Sequence, residues 1–399
     1  MPQVSSRGLA LPPSPIRKLA PCADAAKARG VKVFHLNIGQ PDLETPKVMR
    51  DRLKSLDPVI AYSPSAGTPQ FLGAMSKYYA TVGLQVEPKN LIATTGGSEA
   101  VLFAFLCLAE FGDEVIVFEP FYTNYNSFAA MAGVKLVPVQ CRGEEGFHLP
   151  ERAAFEAALS KRTRFVLLCN PNNPTGTVYS REEVQRVAGF CRDHDLFLVS
   201  DEVYREFVYD GLTPTSALDL VGMDDRVVVV DSLSKRFSAC GIRLGCFVTR
   251  NPEVIAAVTC AAQGRLSPPG LAQVLALGMS EIAADYYAGV RKEYQKRRDV
   301  IFEELLKLPE VFLRKPEGAF YVMARLPVKD SDAFARFLLE DFSFEGATVM
   351  VAPAAGFYAT PGLGSNEVRM AYVLNCDELR QAIRVLGEGL KAYQTRRAA

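Results

Sequence analysis

Val227-Val228-Val229-Val230-Asp231-Ser232-Leu233-Ser234-Lys235 opens with four consecutive β-branched residues and ends on two hydroxyls and a lysine. A strand with one wet face alternates apolar and polar residues; an unbroken apolar run belongs to a strand covered on both faces. Its polar residues fall at the carboxyl end, where open α/β sheets gather their ligands. Outward from this stretch the same texture repeats. Val115–Phe118, Phe165–Cys169 and Leu196–Ser200 are further apolar runs, and helical patterns fill Asn126–Met131 and Arg181–His194 between them. This alternation predicts an α/β fold: a large domain with a mostly parallel sheet sandwiched by helices.

After Ser280 the pattern changes. Ile282, Tyr286, Val290, Tyr294, Ile301 and Leu305 fall on one stripe of a long helix, with charged residues between them. Beyond it come short runs at Val311–Leu313, Ala319–Met323 and Val349–Val351, mixed with helical patterns at Asp332–Leu339 and Asp377–Leu390. These predict a smaller α+β domain. The Pro- and Gly-rich opening, up to about Thr45, packs with it in this reading. The expected division is 46–280 for the large domain, and 1–45 with 281–399 for the small one.

The chain has 399 residues, 49% of them hydrophobic, which is enough for a large core. Lysine plus arginine equals aspartate plus glutamate at 45 each, so no broad basic face for nucleic acid is expected. Nine cysteines are scattered without CxxC spacing, and only three histidines are present. That composition reads as reduced core thiols in a cytoplasmic protein, with no metal site. No run reaches the roughly 18 apolar residues a membrane helix needs, so no membrane partner is expected.

Four local patterns carry chemistry. Lys235, delivered to a strand end, can form an imine with an aldehyde, and Ser232 with Arg243 can donate to a phosphate. An ordinary lysine on a surface loop is the plain alternative. Asp201-Glu202-Val203-Tyr204 follows the run Leu196–Ser200. A carboxylate buried there needs a cation, such as a protonated pyridine nitrogen, and Tyr204 can bond a ring hydroxyl. The alternative is a solvated acidic loop. Asn170-Pro171-Asn172-Asn173-Pro174-Thr175-Gly176 is either a turn-rich connection or a ligand loop. Thr95-Gly96-Gly97-Ser98-Glu99 opens an apolar helix over Ala100–Leu108, as an anion site or as simple capping.

Taken together, the four resemble the class I aminotransferases, the fold-type-I family that uses pyridoxal 5'-phosphate. The likeness runs from Asn37-Ile38-Gly39-Gln40-Pro41-Asp42 to Val368-Arg369-Met370, and Tyr62-Ser63-Pro64-Ser65-Ala66-Gly67 matches the prokaryotic aspartate-aminotransferase-like branch. The resemblance implies roles. Lys235 is the Schiff-base lysine and moves the proton; Asp201 holds the pyridine nitrogen; Asn173 and Tyr204 contact the ring oxygen. Gly97, Ser98, Ser232 and Arg243 bind the phosphate, and Tyr122 stacks on the ring where many relatives place Trp, which this chain lacks. Arg369 grips the substrate α-carboxylate, helped by the backbone of Gly39. Tyr62 reaches the phosphate of the neighbouring subunit, which implies a homodimer with shared sites.

The resemblance implies a ping-pong exchange of an amino group between an L-amino acid and a 2-oxo acid, with aspartate or glutamate the expected donor. A lyase or synthase on the same scaffold, such as a C–S lyase, would share Lys235, Asp201 and Arg369. A ligand-sensing regulator of the same fold would add a winged-helix segment, for which the stretch before Asn37 has no room. For the side-chain carboxylate of a dicarboxylic substrate the expected partner is Arg265, in Gln263-Gly264-Arg265-Leu266-Ser267-Pro268-Pro269, reaching it across the dimer interface, with a structural role as the alternative.

Overall fold

A computed structural model describes residues 2–54, 56–283 and 285–398. After a helix at Ala20–Ala28 the chain forms β1 (Lys32–His35). The central sheet follows: β2 (Leu91–Thr94), β3 (Glu114–Glu119), β4 (Lys135–Gln140), β5 (Thr163–Cys169), β6 (Phe197–Asp201), β7 (Val227–Ser232) and β8 (Gly245–Thr249). Its order is β2-β8-β7-β6-β5-β3-β4. Neighbours from β7 to β4 run parallel, and β8 is antiparallel to both β7 and β2.

The valine run shows why this sheet is doubly covered. Successive side chains on a strand point to opposite faces. Val228 and Val230 enter a core with Ala100, Phe103 and Val258, from the helices Gly96–Leu108 and Pro252–Arg265. Val227 and Val229 enter a different core with Val184, Val187 and Phe190, from the helix Arg181–Asp193. Both faces are dry, so both sets of positions must be apolar.

The smaller sheet holds β9 (Phe312–Leu313), β10 (Tyr321–Arg325), β12 (Ala352–Pro353) and β13 (Glu367–Ala371), in the order β12-β13-β10-β9; β11 (Ala347–Met350) lies between β10 and β12 in the chain. β11 pairs in parallel with β1, which sets Lys32–His35 beside Ala347–Met350. A third core gathers Phe34 and Leu36 with Tyr294, Val322, Val349 and Leu386. The long helix spans Asp285–Leu306, which leaves Ile282 outside it; Ile282 instead packs on the edge of the central core. All nine cysteines are unpaired, but only Cys141, Cys169, Cys191, Cys246 and Cys376 are buried, so the reading of every thiol as a core residue is corrected. No helix among the described residues is long and apolar enough to cross a membrane.

Candidate active site

The chemistry collects at one edge of the central sheet. β6 ends at Asp201, and β5 ends beside it, with Cys169 opposite Asp201 in register. β7 ends at Ser232, which caps the short helix Leu233–Arg236 that carries Lys235. β2 ends at Thr94, and only Thr95 separates it from the helix that starts at Gly96. Thr94 and Ser232 both face Gly245 across β8. A Cβ on Gly245 would lie 2.6 Å from the Asp231 carbonyl oxygen and 2.9 Å from the Gly97 nitrogen, so only glycine lets these segments converge.

A cavity of about 540 Å³ opens at this edge. It is lined by Gly39, Gly97, Ser98, Tyr122, Asn173, Asp201, Tyr204, Ser232, Lys235, Arg243 and Arg369. Eleven of the thirteen residues expected from the sequence thus meet in one space. Tyr62 does not; it is 80% exposed on this chain. Arg265 does not either, and the reason is local. Its Nη1 donates to Glu99 at 2.9 Å and its Nη2 to the carbonyls of Ser65 and Ala93 at 2.9 and 3.3 Å. Glu99, in the first turn of its helix, holds this guanidinium inside the fold, where it ties the helix Pro252–Arg265 to β2.

Asp201 is buried, and burial pushes its carboxyl up to about 6. Its partners are neutral: the Tyr125 hydroxyl donates at 2.7 Å and the Val203 amide at 3.4 Å. A buried carboxylate held only by neutral donors suits a cationic ligand atom. Lys235 Nζ donates to the Gly39 carbonyl at 2.7 Å, with Cys240 Sγ at 3.7 Å.

The anion cradle is equally specific. The first turn of the helix Gly96–Leu108 presents backbone N–H groups. Ser232 and Ser234 bring hydroxyls 2.9 Å apart. Arg243 has a left-handed backbone, φ +53°, a conformation that costs energy and is kept where the surroundings enforce it. Its guanidinium lies over Gly96, where a Cβ would meet Nη2 at 2.5 Å.

Across the cavity, β13 carries Arg369, which is 1% exposed. Nη1 donates to Asn173 Oδ1 at 3.0 Å and Nη2 to the Asn37 carbonyl at 2.6 Å, while Nε has no partner among the described residues. The group stacks over Tyr321 and Phe357 at 4.4 and 5.0 Å, and burial lowers its pKa. No carboxylate of the described residues forms an ion pair with it, so a ligand carboxylate is its natural complement. Asn173 Nδ2 reaches the Tyr204 hydroxyl at 3.4 Å, and Tyr204 meets the Tyr321 hydroxyl at 3.0 Å. Tyr321, Tyr125 and Arg17, all at or behind the cavity wall, escaped the sequence reading; none stands in a local motif.

A buried carboxylate, an amine just past a strand end and a group of hydroxyl, guanidinium and helix N–H donors line one cavity, a donor set that fits the ring nitrogen, aldehyde and phosphate of pyridoxal phosphate. On this sheet they mark the fold-type-I transferases that use pyridoxal phosphate. The family model for class I and II aminotransferases matches residues 31–386, and the chain belongs to that family. A probable aspartate/prephenate aminotransferase of Aquifex aeolicus is 30% identical over 97% of this chain and 98% of its own length. The aspartate/prephenate aminotransferase of Thermus thermophilus is 32% identical over 96% of this chain and 99% of its own. Among solved structures, the Thermus thermophilus aspartate aminotransferase with maleate superposes with a TM-score of 0.87 at 29% identity, covering 98% of this chain and 100% of that one. The alanine aminotransferase of Pyrococcus furiosus gives 0.88 at 26%, with the same coverage. The chain is a pyridoxal-phosphate-dependent aminotransferase acting on amino acids and 2-oxo acids, and the lyase alternative is not favoured.

Proposed function

We propose that the amino donor is a dicarboxylic amino acid, aspartate or glutamate, and that the enzyme works as a cytoplasmic homodimer with shared sites. The donor reading is supported by the names of the relatives. The observation that carries the site reading is the meeting of Lys235, Asp201 and Arg369 around one cavity. When bound, pyridoxal phosphate supplies an aldehyde that condenses with amines and a ring that accepts electrons. Gly97, Ser98, Ser232 and Arg243 would hold its phosphate. Asp201 would keep the ring nitrogen protonated, and Tyr204 with Asn173 would bond the ring oxygen. Tyr122 would pack on the ring. Arg369, with the Gly39 backbone, would seat the substrate α-carboxylate, and the Lys235 amine would carry the α-proton.

The parts 46–280 and 1–45 with 281–399 are taken as two working lobes. Their separate sheets support this: Lys235 directly follows β7 of one, and Arg369 lies on β13 of the other. A seated substrate therefore bridges both and favours closure, which excludes water. Unpaired thiols support a reducing compartment. The test is a half-reaction screen: holoenzyme is mixed with single amino acids while the visible absorbance of bound cofactor is followed. Aspartate and glutamate should discharge it at least tenfold faster, per unit concentration, than alanine or phenylalanine. Equal rates for all four would reject the dicarboxylic reading and leave transamination standing.

A further inference from the structure

Four cationic side chains line the cavity: Lys235, Arg243, Arg369 and Arg17. The first three have work assigned above, and the fourth has none. Arg17 lies on the N-terminal segment, in a turn where its amide donates to the Ser14 carbonyl at 3.1 Å. Its guanidinium has no hydrogen bond or ion pair to any described residue, whereas its neighbour Lys18 is paired with Asp332. Arg265, the sequence-based choice for a substrate carboxylate, has its donors taken up by Glu99 and two carbonyls.

The placement of Arg17 is not accidental to the α-carboxylate site. Asn37 is 1% exposed and joins the two: its carbonyl accepts from Arg369 Nη2 at 2.6 Å, and its Nδ2 donates to the Ile16 carbonyl at 3.1 Å. The segment is also pinned by Pro15 against Gly356, where a Cβ would lie 2.6 Å from the proline ring. Arg17 is thus one residue from a hydrogen-bonded strut that ends on Arg369. The Tyr122 phenol records the same arrangement. Burial pushes it up to about 12, and the charges of Arg369 and Arg17, which line the same cavity, pull in the opposite direction.

We infer that Arg17 receives the side-chain carboxylate of a dicarboxylic substrate whose α-carboxylate sits on Arg369. This rests on the dicarboxylic reading of the donor. The chemistry is a planar fork of N–H donors meeting a planar carboxylate. An exposed guanidinium contributes little while solvated, so the contact strengthens as the substrate itself covers the cavity mouth. A monocarboxylic amino acid gains nothing from it.

The experiment compares wild-type holoenzyme with Arg17→Gln and Arg17→Lys. It measures kcat/KM for aspartate and alanine, and the calorimetric dissociation constants of maleate and of the monocarboxylate crotonate. Arg17→Gln should lower aspartate kcat/KM and maleate affinity more than tenfold, and change alanine and crotonate less than threefold. Arg17→Lys should recover most of the loss. If aspartate and alanine fall by the same factor, or if Arg17→Gln keeps the wild-type preference for aspartate, the inference on Arg17 is overturned while the dicarboxylic reading stands. If wild type itself shows no preference for aspartate over alanine, both fall together. Arg17 is exposed, so the variants should melt within a degree or two of wild type; a large drop for Arg17→Gln would indicate a structural role and count against the inference.

Discussion

At the residue scale the most informative group is Asp201. Its proposed role requires a carboxylate where burial works against charge, and Tyr125 is the stronger of the two donors that favour the charged form. Tyr125 bonds Asp201 but does not itself line the cavity, so it is a positioning residue. A hydrogen bond to a charged group contributes roughly 1.5–3 kcal/mol. Tyr125→Phe should therefore lower kcat about ten- to hundredfold with KM nearly unchanged. It should also move the nitrogen NMR shift of labelled bound cofactor toward the unprotonated ring. An unmoved shift, with kcat within twofold of wild type, would show that Asp201 does not depend on Tyr125. The gathering of Asp201, Tyr204, Ser232 and Lys235 was legible because each stands in a short motif at the end of an apolar run. Tyr125 and Tyr321 were not, because their partners lie 76 and 117 residues away.

Among elements, β8 and the segment around His148 show how strand ends are kept in place. The run Gly245–Thr249 is buried throughout, as a parallel strand would be, yet it is antiparallel. Burial dictates the apolar pattern, whereas direction depends on how the connection returns, and the short helix after β7 returns the chain without a crossover. His148 acts as a clip between elements. Its Nδ1 lies 3.1 Å from both oxygens of Glu183, in the first turn of the helix Arg181–Asp193, and its Nε2 lies 3.7 Å from Glu317. Hydrogen bonds to Glu183 and then Glu317 raise its pKa to about 10. A raised pKa means that stability is fully present below the unfolded value, near 6.5, and is lost as pH climbs through about 10. The His148→Gln variant should melt below wild type at pH 6, by a deficit on the order of 1 kcal/mol after solvent screening. The gap should close by about pH 10. Thermal melts across that range decide it; a gap that widens with pH would contradict the clip.

For the whole molecule the open question is Tyr62. It is exposed on this chain, as are Val59 and Ile60 just before it. An apolar exposed stretch of this kind suits a subunit interface, and the homodimer reading places Tyr62 on the partner's phosphate. Two inactive variants, Tyr62→Ala and Lys235→Ala, test this when mixed. In a hybrid dimer one site would carry both defects and the other neither. Random exchange at equal amounts makes half the dimers hybrids with one sound site in two, so activity should return to about a quarter of wild type. Proven subunit exchange without recovery would place Tyr62 outside the shared site.

The sequence by itself determined the α/β class and the strand ends that bring Lys235, Asp201 and Asn173 together. Those features are written in burial patterns and contiguous motifs, which need no knowledge of distant neighbours. Only the tertiary structure showed where the arginines lie within the chain. Arg265 and Arg17 look alike in sequence, each near Ser and Pro. Glu99 draws one inward to tie a helix to β2, while the strut through Asn37 holds the other at the cavity. A guanidinium is long and forms strong bonds with whatever acceptors the fold brings near it, so its role is set by packing and not by its place in the chain.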